Sequence, residues 1–322
     1  QNKLSARFSD IADVLREASY WASKAGNAVV DGEHVQKAVE EKIFRTNRIE
    51  ERLREMILEG TLIVETSGEK TGQINGLAVL DLGDYRFGKP SRITASAYAG
   101  KAGVVNIERE TKMSGKIHEK AILIISNYLG SRYAVHKPIS LTASITFEQL
   151  YDMVEGDSAS CAELYALLSS IARVPLRQNI AVTGSMDQNG DVQPVGGINE
   201  KIEGFFDLCR VTGLDGSHGV IIPARNVKNL MLKKDVVDAV KEDKFFIYPI
   251  RKVDEGLELL TGMKVGEPAD DGTYPAGTIN YLVVKRLTEI AQSMEKKKEK
   301  EGEKEEEGKE KRKDNEKSGM AD

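Results

Sequence analysis

The hydrophobic periodicity of the chain changes after Gly60, and no other sequence feature constrains the fold as strongly. Before Gly60, apolar residues recur every three or four positions, which is typical of amphipathic helices. In the first helix these positions are Ile11, Val14, Leu15, Ala18 and Trp21. After Gly60, short β-rich runs are separated by turn residues such as Ser67-Gly68. The sequence therefore predicts a small all-helical domain over residues 1–60, followed by a larger domain of strands and helices.

Capping residues and glycines indicate where the first helices begin and end. Ser9 is expected to cap the first helix, and Gly26-Asn27 is expected to end it. Asp31 is expected to cap a second helix that runs towards Leu58. The second helix is predicted to break near Thr46-Asn47.

Strand-like segments dominate the start of the larger domain. Those before residue 110 are Thr61–Glu65, Gly72–Leu82, Ser91–Ala97 and Gly103–Ile107. The apolar run Ala121–Ser126 has strand length, but a helix over His118–Leu129 would contain the same residues, and periodicity does not decide between them. Ser140–Phe147 is strand-like again. From Ala162 onwards the order helix, strand, hairpin, helix, strand, helix predicts an α+β fold whose larger domain is mixed α/β.

The composition changes once more near Glu295, where the chain becomes nearly all Lys, Glu, Gly and Arg. So few apolar residues cannot offset the entropy that is lost on ordering, and residues 295–322 are predicted to be a disordered charged tail. An interaction role for this tail is the alternative to a purely solubilising one. The large domain is predicted over residues 61–265, with a partly helical extension over 266–294.

Charge, cysteine content and hydropathy exclude several classes of function. The net charge of −5 gives no reason to expect a nucleic acid partner. Two cysteines, Cys161 and Cys209, are too few for a disulfide framework and favour a reducing cytoplasm. No apolar run approaches the roughly 20 residues that span a bilayer, so no membrane association is expected. Because the chain opens at Gln1 directly into a helical pattern, we expect it to be part of a longer protein.

The first segment with a chemical signature is Gly156-Asp157-Ser158-Ala159-Ser160, which precedes an apolar helical pattern. Gly156 allows a tight turn, so Ser158 is predicted to lie at or next to a helix N-terminus. Free backbone N–H groups and the helix dipole are available there to stabilise an oxyanion. Taken alone, the segment is explained more simply by Asp157 or Ser158 as a helix cap.

The second segment follows the hairpin signal Asn189-Gly190, which is expected to join the strands Ile180–Thr183 and Val192–Val195. Gly196-Gly197 then leads into a helix that carries Lys201 in its first turn. A cation is electrostatically disfavoured at that position, whereas a lysine that acts as a general base must be neutral. Taken alone, a solvated lysine is the simpler interpretation.

Together the two segments resemble the proteolytic domain of the Lon family, in the branch whose nucleophile lies in a Gly-Asp-Ser-Ala-Ser motif. The lysine motif here is Pro194-Val195-Gly196-Gly197-Ile198-Asn199-Glu200-Lys201. The separation of 43 residues between Ser158 and Lys201 is similar to that in the family. The resemblance, which extends from about residue 1 to residue 285, implies that Ser158 is the nucleophile of a serine–lysine dyad and Lys201 its general base. It also implies that the hydroxyl of Thr183 helps to position the lysine.

Other residues near the dyad are weaker candidates. Glu155 and Asp157 are supporting candidates, because this branch of the family places an acidic residue near the serine that modulates the site. A nearby carboxylate raises the pKa of a lysine, so either residue would oppose a neutral base. Cys161 is expected to belong to the core. No metal is expected, because no metal-ligand spacing occurs among the histidines, which are His34, His118, His136 and His218.

The resemblance also implies coupling to an AAA+ ATPase. The helices over residues 1–60 resemble the lid subdomain of such an ATPase, and Arg7 matches the arginine that the lid turns towards the γ-phosphate of the nucleotide. An exposed arginine before a helix is the alternative interpretation of Arg7. No phosphate loop of the pattern GxxxxGK[ST] follows a strand in these residues, so no cofactor is expected in this chain. ATP and Mg²⁺ are expected for the full-length protein.

The predicted function is therefore that of a cytoplasmic, ATP-dependent serine endopeptidase that hydrolyses unfolded or damaged proteins. The family implies a homo-oligomer, a ring of six subunits, with the serine inside. Two alternatives stay open: a non-catalytic assembly or substrate-holding module of the same fold, and an esterase or amidase that acts on small molecules. Intact Ser158, Lys201 and Thr183 count against the first, and the absence of a Ser–His pairing counts against the second.

Overall fold

The computed structural model describes residues 7–134 and 141–295 of the chain. The tail predicted over residues 295–322 lies outside these ranges except for its first residue, and so do the residues before Arg7. Within the described ranges, no helix is long and apolar enough to cross a membrane.

The N-terminal region is helical, as predicted, and consists of α1 (Phe8–Lys24), α2 (Gly32–Thr46) and α3 (Arg48–Leu58). The predicted break near residues 46–47 is confirmed. The predicted cap at Asp31 is also confirmed, since its carboxylate accepts hydrogen bonds from the N–H groups of Glu33 and His34 at 3.0 and 3.1 Å. The cap predicted at Ser9 is wrong, because α1 already begins at Phe8 and Ser9 lies within its first turn.

Strands and helices are mixed from residue 69 onwards. The strands are β1 (Glu69–Thr71), β2 (Gln73–Asp81), β3 (Arg86–Ala99), β4 (Gly103–Asn106), β5 (Leu141–Phe147), β6 (Pro175–Arg177), β7 (Ile180–Val182), β8 (Ser185–Met186), β9 (Val192–Gln193), β10 (His218–Pro223) and β11 (Phe245–Ile250). The helices are α4 (Ile107–Glu110), α5 (Lys116–Tyr133), α6 (Ser160–Ala172), α7 (Ile198–Thr212), α8 (Lys234–Lys241), α9 (Val253–Thr261) and α10, over residues 279–295.

Seven of these strands form one mixed sheet in the order β11-β10-β7-β2-β3-β5-β4. Strands β11, β10, β7 and β2 are mutually parallel, and β3 runs antiparallel to both β2 and β5. Strand β4 pairs parallel to β5 at the edge. The fold is therefore α+β, as predicted: a helical region comes first and a mixed α/β region follows.

Each face of the sheet carries its own hydrophobic core. Along β7, Ile180 and Val182 pack into one core and Ala181 packs into the other, because successive side chains of a strand point to opposite faces. Helices α5, α6 and α10 contribute to the first core, whereas α7 and α8 contribute to the second. Consequently α6 and α7, which follow the two chemical motifs, lie on opposite faces of the sheet.

The chain changes from one face of the sheet to the other at β7, since α6 precedes this strand and α7 follows it. Open α/β sheets bind ligands at such a crossover, beyond the carboxyl ends of the parallel strands. Strand β7 pairs with β2 only through Asn75–Ala181 and Gly76–Val182. Beyond these pairs the two strands are no longer joined, and side chains from both faces have access to the space between them.

The structure contradicts one predicted strand and decides one segment for which strand and helix were both possible. Thr61–Glu65 is not a strand, so that prediction is wrong. The side chain of Gln149 satisfies its backbone instead, since Gln149 accepts a hydrogen bond from the Ile63 N–H at 2.7 Å and donates one to the Thr61 carbonyl at 2.8 Å. The run Ala121–Ser126 is helical and lies within α5, which buries one of its faces in the first core.

The hairpin predicted at Asn189-Gly190 is present, but β8 rather than β7 is its first strand. The chain leaves the large sheet after Val182, because the Gly184 N–H donates to the Ser158 carbonyl at 2.8 Å and the Gly184 carbonyl accepts from the Cys161 N–H at 3.1 Å. These two hydrogen bonds replace sheet pairing with contacts to the start of α6. The excursion thereby brings the residues after Val182 to the segment that contains Ser158.

Candidate active site

Ser158 lies in a tight turn two residues before the start of α6. Gly156 opens this turn with φ at 86°, a conformation that L-residues with a side chain rarely adopt. Within the described residues, the N–H groups of Ser158 and Ala159 donate no hydrogen bond. Ser158 is therefore next to a helix N-terminus, as predicted, and free backbone donors accompany its hydroxyl.

Lys201 lies in the first turn of α7, where its N–H donates to the Gly197 carbonyl at 3.1 Å. Helix α7 rests directly on strand β3, because neither Gly88 nor Gly204 has a side chain to separate their backbones. A Cβ on Gly88 would collide with the backbone of Glu200, and one on Gly204 would collide with Gly88. This close approach lets the lysine side chain extend from the α7 face of the sheet towards the end of β7.

Three hydrogen bonds join the lysine, the serine and a threonine, and we call Ser158, Lys201 and Thr183 the dyad group. Lys201 Nζ lies 2.9 Å from Ser158 Oγ and 3.0 Å from Thr183 Oγ1. The Thr183 hydroxyl donates to the Ser158 carbonyl at 3.2 Å. Since a hydroxyl has one proton, Thr183 must accept from Lys201, which fixes one N–H of the lysine. The lone pair of a neutral Nζ is then available to the proton of Ser158 Oγ.

The surroundings of Lys201 favour its neutral form. Only 3% of its surface is exposed, and this burial lowers the pKa of Lys201 from 10.5 to about 8. The carboxylates of Asp157 and Glu200 act in the opposite direction, with the smaller effect. Burial therefore outweighs the nearby negative charge, and a substantial fraction of the lysine is neutral in weakly alkaline solution.

The structure brings one of the two predicted acidic residues to the dyad group. Asp157 accepts a hydrogen bond from Ser185 Oγ at 2.8 Å and raises the pKa of Lys201. The exposed side chain of Glu155 turns away instead, and its carboxylate lies against Gly115 at the start of α5. Glu155 is not among the carboxylates that shift the pKa of Lys201.

The remaining candidates lie elsewhere or are buried. Arg7 precedes α1, far along the chain from the dyad, and its Nε lies 3.3 Å from Asp10 Oδ2. Cys161 is fully buried, and this burial raises the pKa of its thiol. His136 lies outside the described residues. In the part of the chain that the structure describes, no group of His, Cys, Asp and Glu side chains could hold a metal ion.

A cleft of about 460 Å³ opens beside Ser158. Its walls are largely apolar and include Leu77 and Val79 of β2 together with Ile49 and Leu53 of α3. Strand β2 has no partner on its β7 side beyond Gly76 within the described ranges, so its backbone borders the cleft unpaired. Unpaired strand edges recognise extended peptides through main-chain hydrogen bonds.

Comparison with known proteins agrees with this geometry. Residues 153–262 match the family model described as the Lon protease (S16) C-terminal proteolytic domain, and residues 1–45 match that of the archaeal LonB AAA+ ATPase lid domain. A putative Lon protease homolog of Escherichia coli (strain K12) is 42% identical over 252 residues, which are 78% of this chain. The chain belongs to the Lon protease family. Its larger region is accordingly a Lon-type proteolytic domain, and the helices before it form an AAA+ lid domain.

Other Lon relatives match over a similar part of the chain. A putative Lon protease homolog of Haemophilus influenzae is 38% identical over 288 residues, or 89% of this chain. An archaeal Lon protease of Thermococcus kodakarensis is 31% identical over 266 residues, or 80%. The chain spans 43%, 47% and 38% of the lengths of these three relatives, so it corresponds to less than half of each.

A second buried polar group lies close to the dyad group, and the motifs did not reveal it. Its central residues are His118 of α5 and Glu163 of α6, both fully buried, and we call them the buried pair. Glu163 is the one charged residue in the apolar helix α6, and this was the signal available in the sequence. His118 lies 45 residues earlier, so its contact with Glu163 could not be inferred from spacing.

Proposed function

We propose that this Lon-family chain is the proteolytic part of an ATP-dependent serine endopeptidase that uses Ser158 and Lys201 as a dyad. The observation that carries the proposal is the buried Lys201 Nζ, 2.9 Å from Ser158 Oγ, with its pKa lowered to about 8. A nucleophile within hydrogen-bond reach of a base, and a base oriented by a third group, form the constellation that covalent catalysis requires. Thr183 is the third group.

The proposed reaction begins when neutral Lys201 takes the proton of Ser158 Oγ as this oxygen attacks a peptide carbonyl carbon. The carbonyl oxygen becomes an oxyanion, which the free N–H groups at the start of α6 stabilise together with the helix dipole. The resulting ammonium then returns its proton to the leaving amine, and an acyl-serine forms. Water attacks this ester in the same way, again with Lys201 as base, and releases the second product.

The cleft supports an unfolded polypeptide as the substrate. Its length along β2 and the unpaired backbone of that strand suit an extended chain, and its apolar walls suit the side chains that folded proteins bury. A folded protein cannot present several consecutive residues in this form. We therefore propose unfolded or damaged proteins as substrates. We also propose a homo-hexameric ring that encloses the sites.

ATP and Mg²⁺ are proposed for the whole protein rather than for these residues. The lid family match supports this, as does the position of Arg7, whose side chain is 76% exposed beside the first turn of α1. An exposed guanidinium suits a phosphate of a nucleotide that is bound largely by other residues. Substituting Arg7→Ala in the full-length protein should reduce ATP-driven degradation of casein while leaving cleavage of short peptides unchanged.

Substitution of the nucleophile tests the proposal directly. Ser158→Ala should lower cleavage of a fluorogenic peptide by on the order of 10⁴-fold or more, since it removes the hydroxyl that forms the acyl intermediate beside Lys201. A fluorophosphonate probe should label the wild-type chain at Ser158, as read by mass spectrometry of the modified peptide. Ser170→Ala, in the same helix but away from the dyad group, is the matched control and should be active. A folded Ser158→Ala protein with more than about a tenth of wild-type turnover would remove the serine from this role.

The same experiment separates the two alternative functions. A non-catalytic module would neither react with the probe nor cleave the peptide, although it would still assemble. An esterase or amidase would hydrolyse a small ester at least as well as casein. Native mass spectrometry tests the ring, and a full-length protein that stays monomeric at high concentration contradicts it.

A further inference from the structure

A buried polar cluster joins α5 to α6, the helix that begins two residues after Ser158. His118 and Glu163 are at its centre, with His118 Nε2 3.5 Å from Glu163 Oε1. The side chain of Asn106 lies 3.2 Å from the same nitrogen of His118 and donates to Glu108 Oε2 at 3.1 Å. At most 5% of any of these four residues is exposed.

The cluster is expected to destabilise the core, because some of its buried polar atoms make no hydrogen bond. Among the residues that the structure describes, both carboxyl oxygens of Glu163 and the Nδ1 atom of His118 find no hydrogen-bond partner. An apolar residue of similar size at either position would fill the same space without this cost. Stability of the core therefore does not explain these side chains, and buried ionisable groups of this kind are concentrated at functional sites.

The start of α5 contacts each residue that leads into the nucleophile turn. The Gly115 N–H donates to the Val154 carbonyl at 2.9 Å, and the Val154 N–H donates to the Met113 carbonyl at 2.9 Å. The carboxylate of Glu155 lies against Gly115, and the carbonyl of Gly156 stabilises the protonated form of His118. Residues 154–156 are thus held from one side by α5.

Glu163 is hydrogen-bonded to the residue that directly follows Ser158. It lies in the first turn of α6, where its N–H donates to the Ala159 carbonyl at 2.9 Å. The contact between Glu163 and His118 therefore joins the helix that follows Ser158 to the helix that holds the residues before it. We call residues 154–158 the nucleophile loop.

We propose that His118 and Glu163 are positioning residues that fix the nucleophile loop between α5 and α6, so that Ser158 and its N–H groups keep the geometry that catalysis requires. This inference rests on the proposed function of Ser158. A displacement of about 1 Å at a reacting atom costs roughly 100-fold in rate, so a loop held on both sides is a catalytic advantage. The polar contact suits this role better than an apolar one, because interactions between polar groups are strengthened in the low dielectric of a core.

The proposed positioning depends on the protonation states of His118 and Glu163. Burial raises the pKa of Glu163 to about 8, with a smaller contribution from Glu108, and burial lowers the pKa of His118. Both side chains are therefore neutral near pH 7, and the proton of Glu163 is available to bridge towards His118. The other charged groups that face His118 are Glu108 of α4, Glu119 of α5 and Glu155 of the nucleophile loop. Ionisation of Glu163 above pH 8 adds a negative charge to this set and removes the proton of its carboxyl group.

Two substitutions of Glu163 distinguish positioning from simple packing. Glu163→Leu should lower kcat for a fluorogenic peptide by about 10- to 100-fold and slow fluorophosphonate labelling of Ser158 to a similar extent, with KM within about twofold. Glu163→Gln keeps a neutral hydrogen-bonding group of the same shape, so it should retain kcat at pH 7 within about threefold. Wild-type kcat should decline above about pH 8, and Glu163→Gln should lose this decline because it cannot ionise.

Tyr165→Phe is the matched control. Tyr165 also belongs to α6, and its buried hydroxyl likewise has no hydrogen-bond partner within the described residues. This hydroxyl lies against Gly256 rather than against the nucleophile loop. It should keep wild-type kcat and the alkaline decline. The inference is overturned if Glu163→Leu has wild-type kcat and labelling rate, or if the alkaline decline persists in Glu163→Gln. Should Glu163→Leu fail to fold, the pH profile of Glu163→Gln decides by itself. Ser158→Ala is measured alongside: if it retains cleavage, the proposed function fails, whereas an inactive Ser158→Ala with a normal Glu163→Leu refutes only the positioning role.

Discussion

Two buried polar groups flank the nucleophile loop, and they differ in how completely they are satisfied. In the dyad group, Lys201 Nζ is bonded to both hydroxyls, and the Thr183 hydroxyl also reaches the Ser158 carbonyl. In the buried pair, the oxygens of Glu163 and one nitrogen of His118 have no hydrogen-bond partner. Ser158 of the dyad group lines the cleft, whereas both side chains of the buried pair are fully buried.

The same physical cause moves the pKa values of the two groups in opposite directions. Burial disfavours the charged form of any side chain, so it lowers the pKa of Lys201 and raises that of Glu163, in each case to about 8. For the lysine the neutral form is chemically useful, because it accepts a proton. For the glutamate the neutral form is structurally useful, because it can donate one. In the proposed mechanism, one turn is thus served by two desolvated groups, one that reacts and one that holds it in place.

After Ser158→Ala, the largest expected effect comes from a base that cannot lose its proton. Lys201→Arg should lower kcat/KM for a fluorogenic peptide by about 10²–10⁴-fold, since a guanidinium stays protonated and cannot accept the serine proton. Lys201→Ala should be as inactive, whereas Lys252→Arg, at an exposed lysine bound to Asp191, is the control and should be normal. Near wild-type activity of a folded Lys201→Arg protein would make Lys201 a structural cation rather than the general base.

Removal of the third hydroxyl should have a smaller effect. Thr183→Val keeps the shape of the side chain but leaves a lysine N–H without its partner. It also removes one of the two hydrogen bonds to the Ser158 carbonyl, which keeps the one from the Gly184 N–H. The loss of hydrogen bonds to a buried amine should reduce kcat by about 10- to 100-fold, measured at saturating peptide. Thr183→Ser retains a hydroxyl and should recover most of this loss. Equal activity of the valine and serine variants would show that the threonine contributes packing rather than orientation.

The pH dependence of the rate should show the titration of the lysine. Below the lowered pKa of about 8, the neutral fraction of Lys201 increases about tenfold per pH unit, and kcat/KM should increase with it between pH 6 and 7.5. Measurement in Glu163→Gln as well as in wild type separates this increase from the alkaline decline, because Glu163 then no longer titrates near pH 8. A rate that is independent of pH in this range would contradict the neutral-base mechanism.

Local sequence signals predicted those features whose physics is local. The Asp31 cap, the break at residues 46–47 and the position of Ser158 next to a helix N-terminus depend on neighbouring residues only. The motifs that resemble the Lon family added the pairing of Ser158 with Lys201, which the structure places 2.9 Å apart. No local rule could have supplied a contact between residues 43 positions apart.

The features that were missed depend on tertiary contacts. Thr61–Glu65 has a strand-like composition, but the side chain of Gln149, 86 and 88 positions away from its two partners, satisfies its backbone. The first strand of the hairpin was displaced because Gly184 bonds to the nucleophile loop rather than to the sheet. Glu163 stood out as a lone charge in an apolar helix, yet only the packing of α5 against α6 shows that its neighbour is His118.

The smallest expected effect concerns stability rather than rate. The folded protein keeps a proton on Glu163 that the unfolded chain loses above its ordinary pKa of 4.5, because burial raises the folded pKa to about 8. This contribution to stability is fully present below pH 4.5 and is lost progressively as the pH rises to about 8. The free energy of unfolding should therefore contain a slope of about −1.4 kcal/mol per pH unit from this group alone. His118 opposes this slope near its ordinary value of 6.5, and Lys201 opposes it as the pH approaches 8. Over the range from pH 6.8 to 7.8, the difference in slope between wild type and Glu163→Gln therefore isolates the glutamate. Urea denaturation across this range should show the slope in wild type and in Thr183→Val but not in Glu163→Gln. An identical slope in Glu163→Gln and wild type would mean that Glu163 is already ionised in the folded protein. Glu163 would then differ from Lys201 in being charged, and a neutral carboxyl group could not be part of its positioning role.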